Sequence, residues 1–130
     1  MAFVVPQISA LRMLSSVSVI LSTCYAYLYI NNRIPTNTDL LTDYTGAANV
    51  DPISCFTLWD APIATGGSAH MSAPEFTFTQ NANTTQTAYG WYVSDGYTLY
   101  MAEKFSTAIT LRLSGDKVKI SGHIFRINQC

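Results

Sequence analysis

Charged side chains are scarce in this sequence. Asp, Glu, Lys and Arg make up 12 % of its 130 residues, about half of the roughly 25 % that is usual in globular proteins. The seven basic residues are scattered and the formal net charge is −1, so the chain has no basic stripe of the kind that binds nucleic acid. Threonine, serine, asparagine and tyrosine take the place of the missing charge. A surface of this composition suits a protein that is covered by partners.

Metal-binding patterns of cysteine and histidine are also lacking. The three cysteines, Cys24, Cys55 and Cys130, are an odd count without a CxxC motif, which argues against a zinc site and a disulfide framework. Pairing of Cys24 with Cys55 stays open, because it depends on the distance between two strands. Neither His70 nor His123 has a second ligand two or four residues away. We therefore predict no metal site and no cofactor.

Catalytic motifs are missing in the same way. The sequence contains no GxSxG motif, no phosphate-binding glycine loop and no nucleophile–base spacing. Asp39 and Asp43 are spaced to share one helix face and could bind a cation. With no further acid near them, a solvated face is the preferred interpretation. These absences predict a protein that is not an enzyme.

The apolar start of the chain, residues 1–22, is too interrupted to span a membrane. Serines divide it, so no run approaches the ~20 apolar residues of a membrane helix. Its only charge, Arg12, lies inside the apolar block, unlike the basic start of a signal peptide. We predict a short amphipathic helix over residues 7–17, and an arm that either contacts a partner or caps the protein's own sheet. The candidate interface residues of this arm are Phe3, Val4, Val5, Ile8, Leu11 and Leu14.

Alternation of apolar and polar residues dominates the remainder. Residues 23–30 predict a strand with a tyrosine face and an apolar face, and residues 85–120 predict several antiparallel strands. Asp95-Gly96 predicts a two-residue type I′ hairpin turn. A bulge at Ser121-Gly122 is expected to realign the last apolar run, 123–127, with the one before it.

Regularly spaced short strands predict the fold class. We expect a mainly β protein, an antiparallel β-sandwich or a partly open β-barrel with a short N-terminal helix. The length predicts a single domain, 1–130, in which the segment 1–22 precedes a β domain of residues 23–130. One turn of helix near residue 40 is also expected, capped by Asn37 or Thr38.

Aromatic residues on the middle strands have two interpretations. Trp59, Trp91 and Tyr92 could stack on sugar rings, as in carbohydrate-binding modules. Packing in the core or at a subunit interface is the preferred interpretation for a small β protein.

Four segments occur in the order seen in a group of small virion proteins of tailed phages. They are YLYINNRIPTNTDLLTDYTGA, TLWDAP, PEFTFTQ and AYGWYVSDGYTLYMAEKF. The last resembles a family pattern of the form (I/V)YGYYVTD-x-G-x-LLWAE-x-F, and the resemblance covers about residues 26–127. The chain departs from the family in its longer, more apolar start and its three cysteines.

The resemblance implies a structural role without catalysis. The expected function is that of a capsid decoration or cement protein on the capsid exterior, which bridges and stabilises subunits of the major capsid protein. A homotrimer is expected, with a dimer as the alternative, and neither nucleic acid nor membrane is an expected partner. The alternative functions are a phage tail or adaptor protein and a receptor- or carbohydrate-binding module.

Overall fold

Strand follows strand along most of the chain. A computed structural model describes residues 19–55, 63–65, 68–73, 75–120 and 123–128. The strands are β1 (Tyr25–Tyr29), β2 (Ile53–Ser54), β3 (Ile63–Thr65), β4 (Ser68–Ala73), β5 (Phe76–Thr79), β6 (Gln86–Ser94), β7 (Leu99–Leu111), β8 (Lys117–Ile120) and β9 (His123–Asn128). A 3-10 helix spans Leu41–Asp43, and residues 19–21 are helical. The described residues contain no helix that is long and apolar enough to span a membrane.

The chain divides into two compact units. The terminal unit comprises Met1–Thr23, Cys55–Phe76 and Ile120–Cys130, and the central unit comprises Cys24–Ser54 and Thr77–Lys119. Strands β3, β4 and β9 form a three-stranded antiparallel sheet, with β4 in the middle.

The central unit is built on a four-stranded antiparallel sheet in the order β2-β1-β6-β7. Every residue of β1 pairs with β6, from Tyr25 opposite Ser94 to Tyr29 opposite Gly90. Strands β5 and β8 form a separate two-stranded sheet. The prediction of a mainly β, antiparallel fold is confirmed. Among the described strands no sheet closes on itself, and a sandwich-like arrangement of two sheets fits.

The apolar face predicted for β1 is confirmed, and in β5 the alternation of phenylalanine and threonine, which predicts Phe76 and Phe78 inward, is confirmed for Phe78. Ala26 and Leu28, on the apolar face of β1, are buried, whereas Tyr25 at the start of its tyrosine face is 45 % exposed. Phe78 of β5 is buried and the neighbouring Thr77 is exposed. The predicted N-terminal helix, residues 7–17, lies outside the described residues.

The hairpin between β6 and β7 differs from the prediction. Its loop has four residues, 95–98, because Ser94 pairs with Leu99. Gly96 has a positive φ of 95°, but Asp95 does not, and a type I′ turn needs both. The carboxylate of Asp95 instead accepts hydrogen bonds from the backbone N–H groups of Tyr97 and Thr98, at 2.9 and 2.8 Å. An aspartate that bonds to the backbone ahead of it stabilises such a turn.

Strand β7 is longer than its alternation indicates. The residues after Leu99 and those around Ile109, which read as two separate runs, belong to this one strand. On β6, Ala88 and Gly90 are two residues apart, but their partners Ile109 and Lys104 are five apart. An irregular bulge in β7 accommodates the three extra residues and breaks the alternation.

Ser114-Gly115-Asp116 is a turn signal in the sequence, and the structure has a turn there. Gly115 has a φ of 95°, and the Asp116 carboxylate accepts bonds from the backbone N–H groups of Arg112 and Leu113, at 2.8 and 2.9 Å. Leu113 is nevertheless 60 % exposed, because β7 ends at Leu111 and the residue lies in the turn.

The residues of the bulge expected at Ser121-Gly122 lie outside the described residues. Strand β8 pairs with β5, whereas β9 pairs with β4. The two runs therefore belong to different sheets, and the change of phase between them marks a change of partner strand.

Candidate functional site

A cluster of four tyrosines covers one face of the central sheet. Tyr27 of β1 stacks on Tyr92 of β6, with ring centroids 5.1 Å apart. Tyr29 meets the edge of Tyr44 at 5.0 Å and its hydroxyl donates to the backbone carbonyl of Arg33, at 3.0 Å. Tyr29, Tyr44 and Tyr92 are buried. The tyrosine face of β1 has two interpretations from the sequence, an exposed binding ladder or packing on a neighbouring element, and packing is confirmed for Tyr27 and Tyr29.

The loop that brings Tyr44 onto the sheet is organised by Asp39. Its carboxylate accepts two hydrogen bonds from the Arg33 guanidinium, at 2.6 and 3.1 Å. It accepts two more from the hydroxyl and backbone N–H of Thr36, at 2.5 and 3.1 Å, and one from the Tyr44 hydroxyl, at 2.5 Å. The Asp39 side chain is only 1 % exposed. Asp39 is thus the acceptor that joins both ends of this loop.

The pKa values in this loop follow from these bonds. The hydrogen bonds from Arg33, followed by those from Thr36 and Tyr44, hold the pKa of Asp39 far below its ordinary value. Burial raises the pKa of Tyr44, and its bond to the Asp39 carboxylate raises it further. Burial is also the main cause of the raised pKa of Tyr92. The charged form of Asp39 and the neutral phenols are therefore the states that the fold selects.

The predicted helical turn forms in this loop, but with a different cap. The 3-10 helix follows Leu40, whose backbone N–H donates to the Asp43 carboxylate at 2.8 Å. Neither Asn37 nor Thr38 caps it. Asp43 also lies 3.6 Å from the Arg33 guanidinium. Asp39 and Asp43 thus have protein donors around them, and the solvated-face interpretation is wrong for Asp39, which is buried.

Two clefts lie between this loop and the start of β7. One, of about 200 Å³, is lined by Pro35, Thr36, Asn37, Asp39, Tyr44 and Leu99–Ala102. The other, of about 320 Å³, is lined by Leu40, Leu41, Thr42, Tyr97, Thr98 and Leu99. Both are bounded on one side by the loop that Asp39 holds and on the other by the hairpin that Asp95 holds.

Exposed apolar side chains stand at the rims of the clefts. Leu40 is 67 % exposed and Tyr97 is 91 % exposed, and both line the larger cleft. Tyr100, at the smaller cleft, is 41 % exposed, and its hydroxyl donates to Asp95 at 3.2 Å. Contiguous exposed apolar groups on a soluble protein mark sites of interaction. This surface is the candidate functional site.

The predicted interface residues are distributed differently. Trp91 and Tyr92 are buried, with 3 % and 7 % of their surface exposed, so both belong to the core and neither offers a ring face to a partner. The Nε1 of Trp91 donates to Glu103 at 3.4 Å. The remaining predicted interface residues lie outside the described residues, namely Phe3, Val4, Val5, Ile8, Leu11, Leu14 and Trp59.

The exposed surface was not anticipated from the sequence as a site. For Tyr97 the sequence carries no signal, because a two-residue turn at Asp95-Gly96 would place Tyr97 in the paired strand. Leu40 carries no signal of exposure either, since the sequence places it only in the predicted turn of helix near residue 40.

Other predicted absences concern metals and cysteines. Within the part of the chain that the structure describes, no three His, Cys, Asp or Glu side chains come together as a metal site. Cys24 and Cys55 are buried thiols.

Comparisons with known proteins give no further guide. Neither models of protein families, nor curated protein sequences, nor solved structures yield a significant match to this chain.

Proposed function

We propose that this protein is a non-enzymatic structural protein of a tailed-phage particle, of the capsid decoration or cement type. In this role it sits on the capsid exterior as a homotrimer, binds the major capsid protein and bridges its subunits. Two observations together carry the proposal. An apolar surface around Leu40 and Tyr97 is exposed, and three carboxylates accept hydrogen bonds that stabilise loops. Asp39, Asp95 and Asp116 all accept hydrogen bonds that fix turns.

Two sequence features support the same role. The segment around residues 88–105 resembles the family pattern of small virion proteins, and its strand and hairpin positions coincide with β6, β7 and the loop between them. The low charge content suits a surface that is covered in the assembled particle. A protein partner accounts for both better than nucleic acid or a membrane does.

The copy number in purified particles tests this proposal. Quantitative mass spectrometry of particles is expected to find hundreds of copies, because a decoration protein occupies every equivalent position of the shell. A few copies for each particle would instead indicate the tail or adaptor alternative. Absence of the protein from particles would contradict the proposal.

Deletion of residues 2–14 tests the predicted arm separately. If Phe3, Val4, Val5, Ile8, Leu11 and Leu14 contact the capsid, the shortened protein stays folded and loses capsid binding. Burial of each large side chain at such a contact contributes about 1.5–3 kcal/mol before ordering costs. A shortened protein that does not fold would show that the segment belongs to the core, and one that still binds capsids would show that the arm is not the interface.

The second candidate function is a carbohydrate- or receptor-binding module. The observation that favours it is the position of two exposed tyrosine rings: Tyr97 lies beside the larger, mainly apolar cleft, and Tyr100 lies beside the smaller cleft, which polar groups line. Aromatic rings stack on the apolar faces of sugars. Binding on a glycan array that disappears in Tyr97→Ala and Tyr100→Ala, and persists in Ile34→Ala as a control, would favour this function.

A further inference from the structure

The two ends of strand β7 carry opposite charge. At about 3.3 Å for each residue, its 13 residues separate these ends by roughly 40 Å at most. The hairpin loop at the start of the strand and the turn at its end both belong to the central unit. Each end also exposes a large apolar side chain.

The acidic end, defined by Leu40, Asp43, Asp95 and Tyr97, is concave. Its cleft of about 320 Å³ has apolar walls from leucine and tyrosine side chains. Three carboxylates lie in the loops around it, Asp39, Asp43 and Asp95, and these loops contain one cation, Arg33, which pairs with Asp39 and lies 3.6 Å from Asp43. The rim of the cleft is therefore negative.

The basic end is formed by the turn after β7 and the start of β8, and it is defined by Arg112, Leu113 and Lys117. Leu113 is 60 % exposed in the turn after β7, and Arg112 and Lys117 are exposed on either side of that turn. Lys119 adds a further positive charge on the exposed face of β8. The single carboxylate of the turn, Asp116, offsets one of these three positive charges, so this end keeps a net positive charge.

We propose that the acidic end of one copy binds the basic end of a second copy. Leu113 enters the apolar cleft beside Leu40 and Tyr97, while Arg112 and Lys117 face Asp43 and Asp95. Apolar groups at the centre and complementary charges at the rim are the usual arrangement of a specific interface. Because two different surfaces meet, the contact is heterologous, and it closes into a ring when the rotation between copies allows.

This inference rests on the part of the proposed function that makes the protein a homo-oligomer, and not on its attachment to a capsid. It is tested on the purified chain alone, by sedimentation velocity. Wild-type protein is expected to sediment as an oligomer, and raising the salt concentration weakens the association because rim charges are screened.

Two single variants distinguish a heterologous contact from a symmetric one. Tyr97→Glu blocks the acidic end and Leu113→Glu blocks the basic end, and each variant alone is expected to have the mass of one chain. An equal mixture retains one intact acidic end and one intact basic end, so it is expected to form a dimer with twice that mass. Ile34→Glu, at a side chain that is 72 % exposed outside both ends, is the matched control and keeps the wild-type mass.

Several results would overturn the inference. They are a wild-type chain that stays monomeric, a mixture that stays monomeric, or single variants that keep the wild-type oligomer. Circular dichroism checks that each variant is folded, and the milder pair Tyr97→Ser and Leu113→Ser replaces any variant that is not. Capsid binding is measured independently, so failure of self-association and failure of the proposed capsid role give different results.

Discussion

The ring of Tyr29 lies across the backbone of Gly90, its partner on the neighbouring strand. A Cβ atom on Gly90 would lie 2.5 Å from the Tyr29 hydroxyl oxygen and 2.6 Å from its Cε1 atom. The same Cβ would also collide with the backbone carbonyl oxygen of Glu103 on β7. An aromatic ring that covers a cross-strand glycine restores the packing that the missing side chain would have supplied.

The first prediction concerns Gly90→Ala. The added methyl group meets backbone on one side and a fully buried ring on the other, so neither neighbour can move cheaply. We expect a loss of about 1–3 kcal/mol in the free energy of unfolding, as for other overpacked cores, measured by urea denaturation. Gly46→Ala is the control, because its Cβ meets only the Tyr92 hydroxyl, at 3.2 Å. Equal effects of the two substitutions would contradict this account.

The second prediction concerns Asp39→Asn. The neutral amide cannot pair with Arg33, and its NH₂ group faces donors where a carboxylate oxygen accepts bonds. We expect a lower urea midpoint and faster hydrogen exchange in residues 36–44, because a buried donor left without an acceptor is costly. Asp51→Asn, which affects one exposed hydrogen bond from Asn81, is expected to change neither. A midpoint for Asp39→Asn equal to that of Asp51→Asn would argue against the role given to this carboxylate.

The third prediction concerns acid. The pKa values of Asp39, Asp95 and Asp116 lie below the ordinary value of 3.8, through bonds from Arg33 in the first case and from backbone N–H groups in the other two. A lowered folded-state pKa stabilises the fold above that ordinary value, and the contribution is lost as the pH falls below it. The free energy of unfolding is therefore expected to be constant near neutral pH and to fall below about pH 4. Asp39→Asn is expected to make this fall shallower, and an unchanged slope would contradict the assignment.

The fourth prediction concerns alkali. Burial raises the folded-state pKa of Tyr44 and Tyr92 above the ordinary value of 10.0. Stability from these neutral phenols is complete below that value and is lost as the pH rises above it, because only the unfolded chain ionises readily. Ultraviolet titration is expected to show tyrosines that ionise together with unfolding. Tyr44→Phe is expected to reduce this alkaline loss, and a titration in which every tyrosine ionises before unfolding would disprove the prediction.

The local sequence pattern was sufficient to predict some of these strands and insufficient to predict others. The faces of β1 follow from the alternation around Ala26 and Leu28, since one strand period decides burial. The length of β7 could not be read from its residues, because the bulge near Lys104 and Ile109 interrupts the alternation inside one strand. A change of partner strand after Ile120 produced the same loss of phase as a bulge would.

The site shows the same difference between local and tertiary information. The Asp95-Gly96 pair indicated a hairpin, but neither its loop length nor the exposure of Tyr97. The bonds of Asp39 to Arg33 and Tyr44 depend on how a whole loop folds over the tyrosine cluster. No spacing rule distinguishes such an acceptor from a solvated acid, so its burial became visible only in three dimensions.

The Asp39 cluster also constrains how this sequence can change over generations. Replacement of Arg33, Asp39 or Tyr44 alone leaves a donor or an acceptor unmatched, so these positions are expected to vary together or not at all in related chains. Leu40 lies between them but faces outward, and its side chain takes no part in these bonds. In related chains, substitution of Leu40 can therefore change which partner the loop contacts. The hydrogen bonds of Arg33, Asp39 and Tyr44, and with them the fold, stay the same.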